Sequence, residues 1–157
     1  MTRQPPPGAT LDFKRFAADS RQRHEELVDL FGQYIIWMRD WTNKSTRQLI
    51  ESADLRQQLG EIVRQPYEEA AKLSEDDRER AIILAESSVE AFIELFLRLF
   101  AHQGMDFALG DSHSVRFRLD MEIVDRVTEV VVHQEIINRN GRKHFADYWG
   151  RWLNRFK

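Results

Sequence analysis

Between residues 81 and 101 the chain reads AIILAESSVEAFIELFLRLFA, a run apolar on nearly every side of a helix, and any fold this chain adopts has to cover it. At helical spacing Ala85, Val89, Phe92, Phe96, Leu99 and Phe100 form one stripe, and Ile82, Ile93, Leu95 and Leu97 widen it beyond half the circumference. The expectation is a central helix covered on more than one side. One row breaks the pattern. Glu86, Glu90, Glu94, Arg98 and His102 recur every four residues and so stack along a single line of the helix. The expected role of that row is a solvated edge with a favourable Glu94 to Arg98 pair, in preference to a metal or proton site. It also makes the segment too polar to span a membrane.

The 157 residues fit one domain with a real core. A net charge of −3 is too small to announce a partner, but its distribution is polarised. Residues 61–94 carry ten acids against four bases, whereas residues 138–157 carry six bases against one acid, Asp147. The absence of cysteine excludes disulfides, thiolate metal sites and cysteine nucleophiles, and fits a reducing compartment. MTRQPPPGAT lacks the apolar core of a signal peptide. The sequence reads as soluble and cytoplasmic, with no membrane partner.

Residues 1–9, with Pro5, Pro6, Pro7 and Gly8, read as a flexible leader, and residues 10–157 as a single α+β domain. Leu27, Leu30, Phe31, Tyr34, Met38 and Trp41 step by three and four, broadened by Val28, Ile35 and Trp37, which predicts a long amphipathic helix. A short separate helix around Phe13 and Phe16 breaks from it near Asp19 and Ser20. Gly32, inside the long helix, costs about 1 kcal/mol relative to alanine, and a close helix contact would explain it. Ser45 to Gln48, STRQ, reads as a capping box opening the next helix, which Pro66 ends or kinks, with Pro66, Glu68 and Glu69 suiting the first turn of another. Ser74 with Asp77 opens the central helix, which stops at Gly104.

Beyond Gly104 the period changes to two. Val115, Phe117, Leu119, Met121 and Ile123 alternate with Arg116, Arg118, Asp120 and Glu122, predicting a strand over 114–125. The β-branched stretch 128–137 follows a short turn near Asp125 and Arg126, so the two pair antiparallel; residues 105–109 add a short third strand. The central helix is the natural cover. NRNG at 138–141 is a turn, and Phe145, Tyr148, Trp149, Trp152, Leu153 and Phe156 predict an amphipathic C-terminal helix with an aromatic face. The predicted fold is therefore α+β. Residues 10–103 form a helical bundle of three or four helices; residues 104–157 form an antiparallel sheet of two or three strands and the last helix.

Three groups of residues could carry function. On the exposed face of the hairpin, Asp120 or Glu122 with His133 and Glu135 could ligate a divalent metal as a nuclease site does, though alternating charges usually dress a solvated sheet face. Arg139, Arg142, Lys143, Arg151 and Arg155 interleave with Tyr148, Trp149 and Trp152, cations for phosphates and rings for bases, unless the rings are core. Tyr34, Trp37 and Trp41 lie on the wide apolar face of the long helix. Arg139 and His144 also stand at an R-x4-H spacing similar to the motif of HEPN ribonucleases. That likeness is confined to two residues and falls in a turn rather than a helical bundle, so the chain is not assigned to that family.

There is no G-x-S-x-G elbow, Walker loop, dinucleotide fingerprint or H-E-x-x-H. The expected function is non-catalytic and cofactor-free, a protein-interaction module or small subunit that binds another protein or itself through Tyr34, Trp37 and Trp41. The alternative is a nucleic-acid-binding protein, with metal-dependent cleavage as an extension.

Overall fold

The computed structural model describes residues 5–101, 108–109, 111–138 and 145–156. The protein is α+β, helices first, then antiparallel strands, then a last helix. The packing divides it into two compact units, residues 1–36 with 94–157, and residues 37–93. Helix α1 (Ser20–Glu51) and helix α4 (Glu75–Ala101) each contribute one part to either unit. Among the described residues no helix is long and apolar enough to cross a membrane.

Helix α1 begins where expected. A 3-10 turn at Phe13–Arg15 ends before it, and the Asp19 carboxylate accepts the Gln22 N–H at 2.9 Å, the bond an N-cap makes. Glu26 reaches back to accept the Ala17 N–H at 2.7 Å, which ties the lead-in to the first turns.

The STRQ stretch does not open a helix. It lies inside α1, which runs 32 residues without glycine or proline after Gly32 to stop it. A capping box satisfies donors at a helix start, and here the helix is already running. The chain breaks one turn later at Ser52, whose Oγ accepts the Leu55 N–H at 3.4 Å to cap the short α2 (Ala53–Gln57). Arg56 donates to the carbonyls of Leu49 and Ile50 at 2.9 and 2.7 Å, closing the end of α1.

Pro66 neither ends a helix nor begins one. It is carried in the interior of α3 (Glu61–Ala71), which starts at Gly60. Five residues precede it in the helix, so the turn is nucleated before the missing N–H is felt. Helix α4 starts as predicted: Ser74 Oγ accepts the Asp77 N–H at 3.3 Å and donates to its carboxylate at 2.8 Å. Its expected stop at Gly104 lies outside the described residues.

In the unit made by 1–36 and 94–157, Leu27, Val28, Leu97, Ile137, Phe145, Tyr148, Trp149 and Trp152 are buried. The Trp152 indole packs edge-on against Phe31 and Phe145, with both centroids 5.9 Å away. Helix α5 (Tyr148–Arg155) thus turns its aromatic face inward, as its spacing predicted. In the unit made by 37–93, the second half of α1, α2, α3 and the first part of α4 bury Ile50, Ile82 and Ile93.

The strands are shorter than the alternation predicted. β1 (Ala108–Leu109) pairs antiparallel with β2 (His113–Ser114), and β3 (Asp120–Val124) with β4 (Val131–Ile136), as two separate ribbons among the described residues. The third strand therefore joins its own partner rather than the hairpin. Residues 115–119 keep the alternation but are not strand. Where a partner strand would continue, the side chain of Asn138 accepts the Leu119 N–H at 3.0 Å and donates to the carbonyls of Phe117 and Phe100, each at 3.0 Å.

Asp125 builds the connecting turn, accepting from the N–H groups of Val127 and Thr128 at 2.9 and 2.8 Å and from the Thr128 hydroxyl at 3.0 Å. Those bonds hold its carboxyl below the ordinary value. Cover for the hairpin comes first from the start of the chain, with Phe13 stacked on His133 at 5.4 Å and His24 against Glu135. The end of α4 adds the Phe100 ring near Phe117.

Candidate interaction surface

The unit formed by 37–93 ties α1 to α4 with ion pairs and exposes a number of large apolar side chains. Arg47 of α1 bonds Glu79 at 2.8 Å and Glu86 at 3.2 Å, and Arg39 lies 3.5 Å from Glu90. Two members of the acidic row on α4 thus turn toward arginines of α1, while Glu94 pairs with Arg98 at 2.5 Å as expected. Ile83, Leu84 and Phe92 of α4 are also exposed, Leu84 with 69% of its surface. The expectation that α4 is covered on more than one side fails at Leu84 and Leu95, which stay exposed.

Helix α3 contributes no buried residue, and Ile62 on it is 90% exposed with Val63 beside it. Met38 and Trp41 of α1 and Leu73 at the end of α3 add to the same inventory. Eight large apolar residues are exposed in this unit against three that are buried. Single exposed apolar residues are ordinary, but such a concentration in 57 residues is the composition of an interface.

Of the residues expected to bind a partner, Trp41 is half exposed, whereas Tyr34 and Trp37 are partly covered. The earlier part of that face is core, since Leu27 and Val28 are fully buried. The apolar surplus expected at Trp149 and Trp152 is absent for the same reason.

The hairpin register separates the residues proposed as metal ligands. His133 stands opposite Ile123 and Glu135 opposite Met121, on the covered side, while Asp120 and Glu122 stand opposite Ile136 and Gln134 on the exposed side. Two faces of one ribbon cannot share an ion. Among the described residues no group of three or more such side chains could hold a metal ion.

The C-terminal cations are equally changed by their surroundings. Tyr148, Trp149 and Trp152 are buried, so they are packing rather than a stacking platform. Arg151 donates to Glu25 at 3.0 Å and to Asp29 at 2.5 Å, and Arg155 also bonds Asp29. Arg139, Arg142, Lys143 and His144 lie outside the described residues, as does His102.

Sequence reasoning missed the acids that meet these arginines. Glu25 and Asp29 are one turn apart on α1, and Arg151 and Arg155 are one turn apart on α5, so the two pairs match rung for rung. The Tyr148 hydroxyl donates to Glu25 at 2.8 Å and the Trp152 N–H to Asp29 at 3.3 Å. Burial raises the Glu25 carboxyl, but the bonds from Tyr148 and Arg151 outweigh it and hold the group below 4.5. Burial and the Glu25 bond push the Tyr148 phenol well above 10.0, so it stays a donor. A matched i,i+4 acid pair and i,i+4 base pair were the available signal. The set is closed on itself, and its chemistry is that of a clasp.

A second polar cluster joins His24 Nδ1 to Glu135 Oε1, with His133 Nε2 at 3.3 Å from Oε2. His24 is buried, which accounts for a polar pair on the covered face of the hairpin. No protein family, curated protein or solved structure matches the chain.

Proposed function

We propose that this chain is a non-catalytic protein-interaction module, a subunit that works by docking the outer surface of its 37–93 unit on a protein chain. The observation that supports the reading is the apolar exposure in that unit, eight large apolar residues exposed against three buried. Covering a side chain such as Ile62 or Leu84 contributes about 1.5–3 kcal/mol against an association cost of about 4–15 kcal/mol, so a stable complex covers several of them together.

The test is native gel filtration of an extract from the source cells, with the chain followed by a tag. The wild type elutes well above 18.6 kDa and keeps its position after nuclease treatment, whereas a Trp41→Glu, Ile62→Glu double variant elutes near 18.6 kDa. Wild type eluting at 18.6 kDa, or collapsing on nuclease treatment, contradicts the reading.

A further inference from the structure

None of residues 5–17 is buried, yet the segment is folded back against α1 and the hairpin. Among the described residues its main-chain hydrogen bonds are local: the N–H of Ala9 donates to Pro6, Leu11 to Gly8, Arg15 to Asp12 and Phe16 to Phe13. Neither a helix nor a strand takes it into a ladder. It is tied down at separate points instead. The Ala17 N–H donates to Glu26 at 2.7 Å, and Phe13 stacks on His133 with centroids 5.4 Å apart. Gly8, at a φ of +73°, lies so close to Leu30 that a Cβ on the glycine would stand 3.2 Å from its Cδ1.

The ring under Phe13 belongs to a buried polar set. His133 Nε2 meets one oxygen of Glu135, and the other oxygen meets His24 Nδ1. His24 is 6% exposed, and its second ring nitrogen, Nε2, is buried with no hydrogen-bond partner. Whether that nitrogen carries a proton or a lone pair, burying it unpaired has a cost that contact with water relieves. The closed arrangement therefore holds an unsatisfied group inside and a cover with no buried residue outside. Few buried contacts and exposed main-chain bonds put such a cover at the low end of local stability.

We propose that residues 5–17 are a strap that lifts as one unit and admits water to the His24–Glu135–His133 set while α1 and the hairpin stay folded. The hinge lies at Ala17 and Ala18. From there on the chain is fixed, since Arg23 donates to the Ala18 carbonyl at 3.2 Å and the Asp19 carboxylate caps α1.

Hydrogen exchange and histidine modification of the full chain read the two halves of the proposal. The amides of Leu11, Phe16 and Ala17 are expected to exchange about a hundredfold faster than those of Leu27 and Val28 in α1. Diethyl pyrocarbonate labels accessible imidazoles, and the exposed His113 is the internal reference. Phe13→Ala removes the stack and is expected to speed labelling of His133 and His24 relative to His113. Because it also bares His133 directly, Glu26→Ala decides the matter. Glu26 bonds neither histidine among the described residues, and its loss frees only the Ala17 tie and the Gln22 amide. It should still raise the labelling of both histidines about tenfold, with α5 amides as protected as in wild type. Wild-type labelling of His24 and His133 in Glu26→Ala overturns the proposal. So do strap amides that exchange as slowly as Leu27, and so does faster labelling accompanied by loss of protection in α5, which would be general unfolding.

Discussion

Gly32 of α1 lies against the indole of Trp152: a Cβ built on that glycine would stand well inside 3.0 Å of three ring atoms. Trp152 is fully buried among Phe31, Phe145 and Tyr148, so it has nowhere to retreat. A glycine sits within this long helix because the last helix of the chain packs its largest side chain there.

Gly32→Ala should therefore destabilise the protein in spite of its helix propensity. Alanine gains about 1 kcal/mol as a helix former. Overpacking a core costs about 1–3 kcal/mol, and a Cβ set this deep against a buried indole falls at the upper end of that range, above the gain. Urea unfolding followed by tryptophan fluorescence should show a lower midpoint, and an unchanged or higher one would mean the contact is soft.

Asp29 is the hub of the clasp, accepting from Arg151, Arg155 and Trp152. Asp29→Ala leaves Arg151 with one acid and should cost about 3 kcal/mol, within the range for breaking a buried pair. A double-mutant cycle with Arg151→Ala should return a coupling of about 1–3 kcal/mol. Additive effects would show that the two side chains act independently.

Acid should loosen the same clasp through Glu25. Its folded carboxyl sits below the ordinary 4.5, so its contribution is fully present above that pH and is lost as pH falls through the lower folded value. Stability measured from neutral pH down to about pH 3 should decline more steeply for wild type than for Glu25→Gln. Parallel curves would remove Glu25 from the acid response.

Alkali acts on Tyr148, whose phenol is raised by burial and by its bond to Glu25. Its stabilisation is present below 10.0 and is lost as pH rises toward the higher folded value. In an ultraviolet titration of tyrosinate, Tyr148→Phe should remove the last ionisation step while leaving earlier ones in place. Loss of an early step instead would mean that Tyr148 is open to solvent.

The hairpin turn depends on Asp125, which accepts three bonds from Val127 and Thr128. Asp125→Ala should raise backbone amide exchange across β3 and β4 while leaving α5 protected. Equal loss of protection in α5 would show that the two fold as one.

Much of this architecture was legible from periodicity and end signals. The steps from Leu27 to Trp41, the Ser74 and Asp77 start, the antiparallel hairpin and the inward aromatic face of α5 all follow from them. What periodicity cannot supply is the neighbour. The 81–101 run is apolar on several sides, yet Leu84 and Leu95 are exposed among the described residues. His133 and Glu135 read as solvent-facing because they are polar. They lie inward because His24, more than a hundred residues earlier, satisfies Glu135, which in turn meets His133. The clasp was hidden in the same way, since an i,i+4 acid pair becomes informative once its basic counterpart is known to face it.

The central claim is that the outer surface of the 37–93 unit is covered by protein in the working state, and tryptophan labelling tests it most directly. Trp41 is 51% exposed in the isolated chain and Trp152 is fully buried, so brief oxidation followed by mass spectrometry carries its own control. Trp41 should label readily in dilute purified protein and be protected in the native assembly, with Trp152 protected in both. Equal labelling of Trp41 in the two samples would contradict the account.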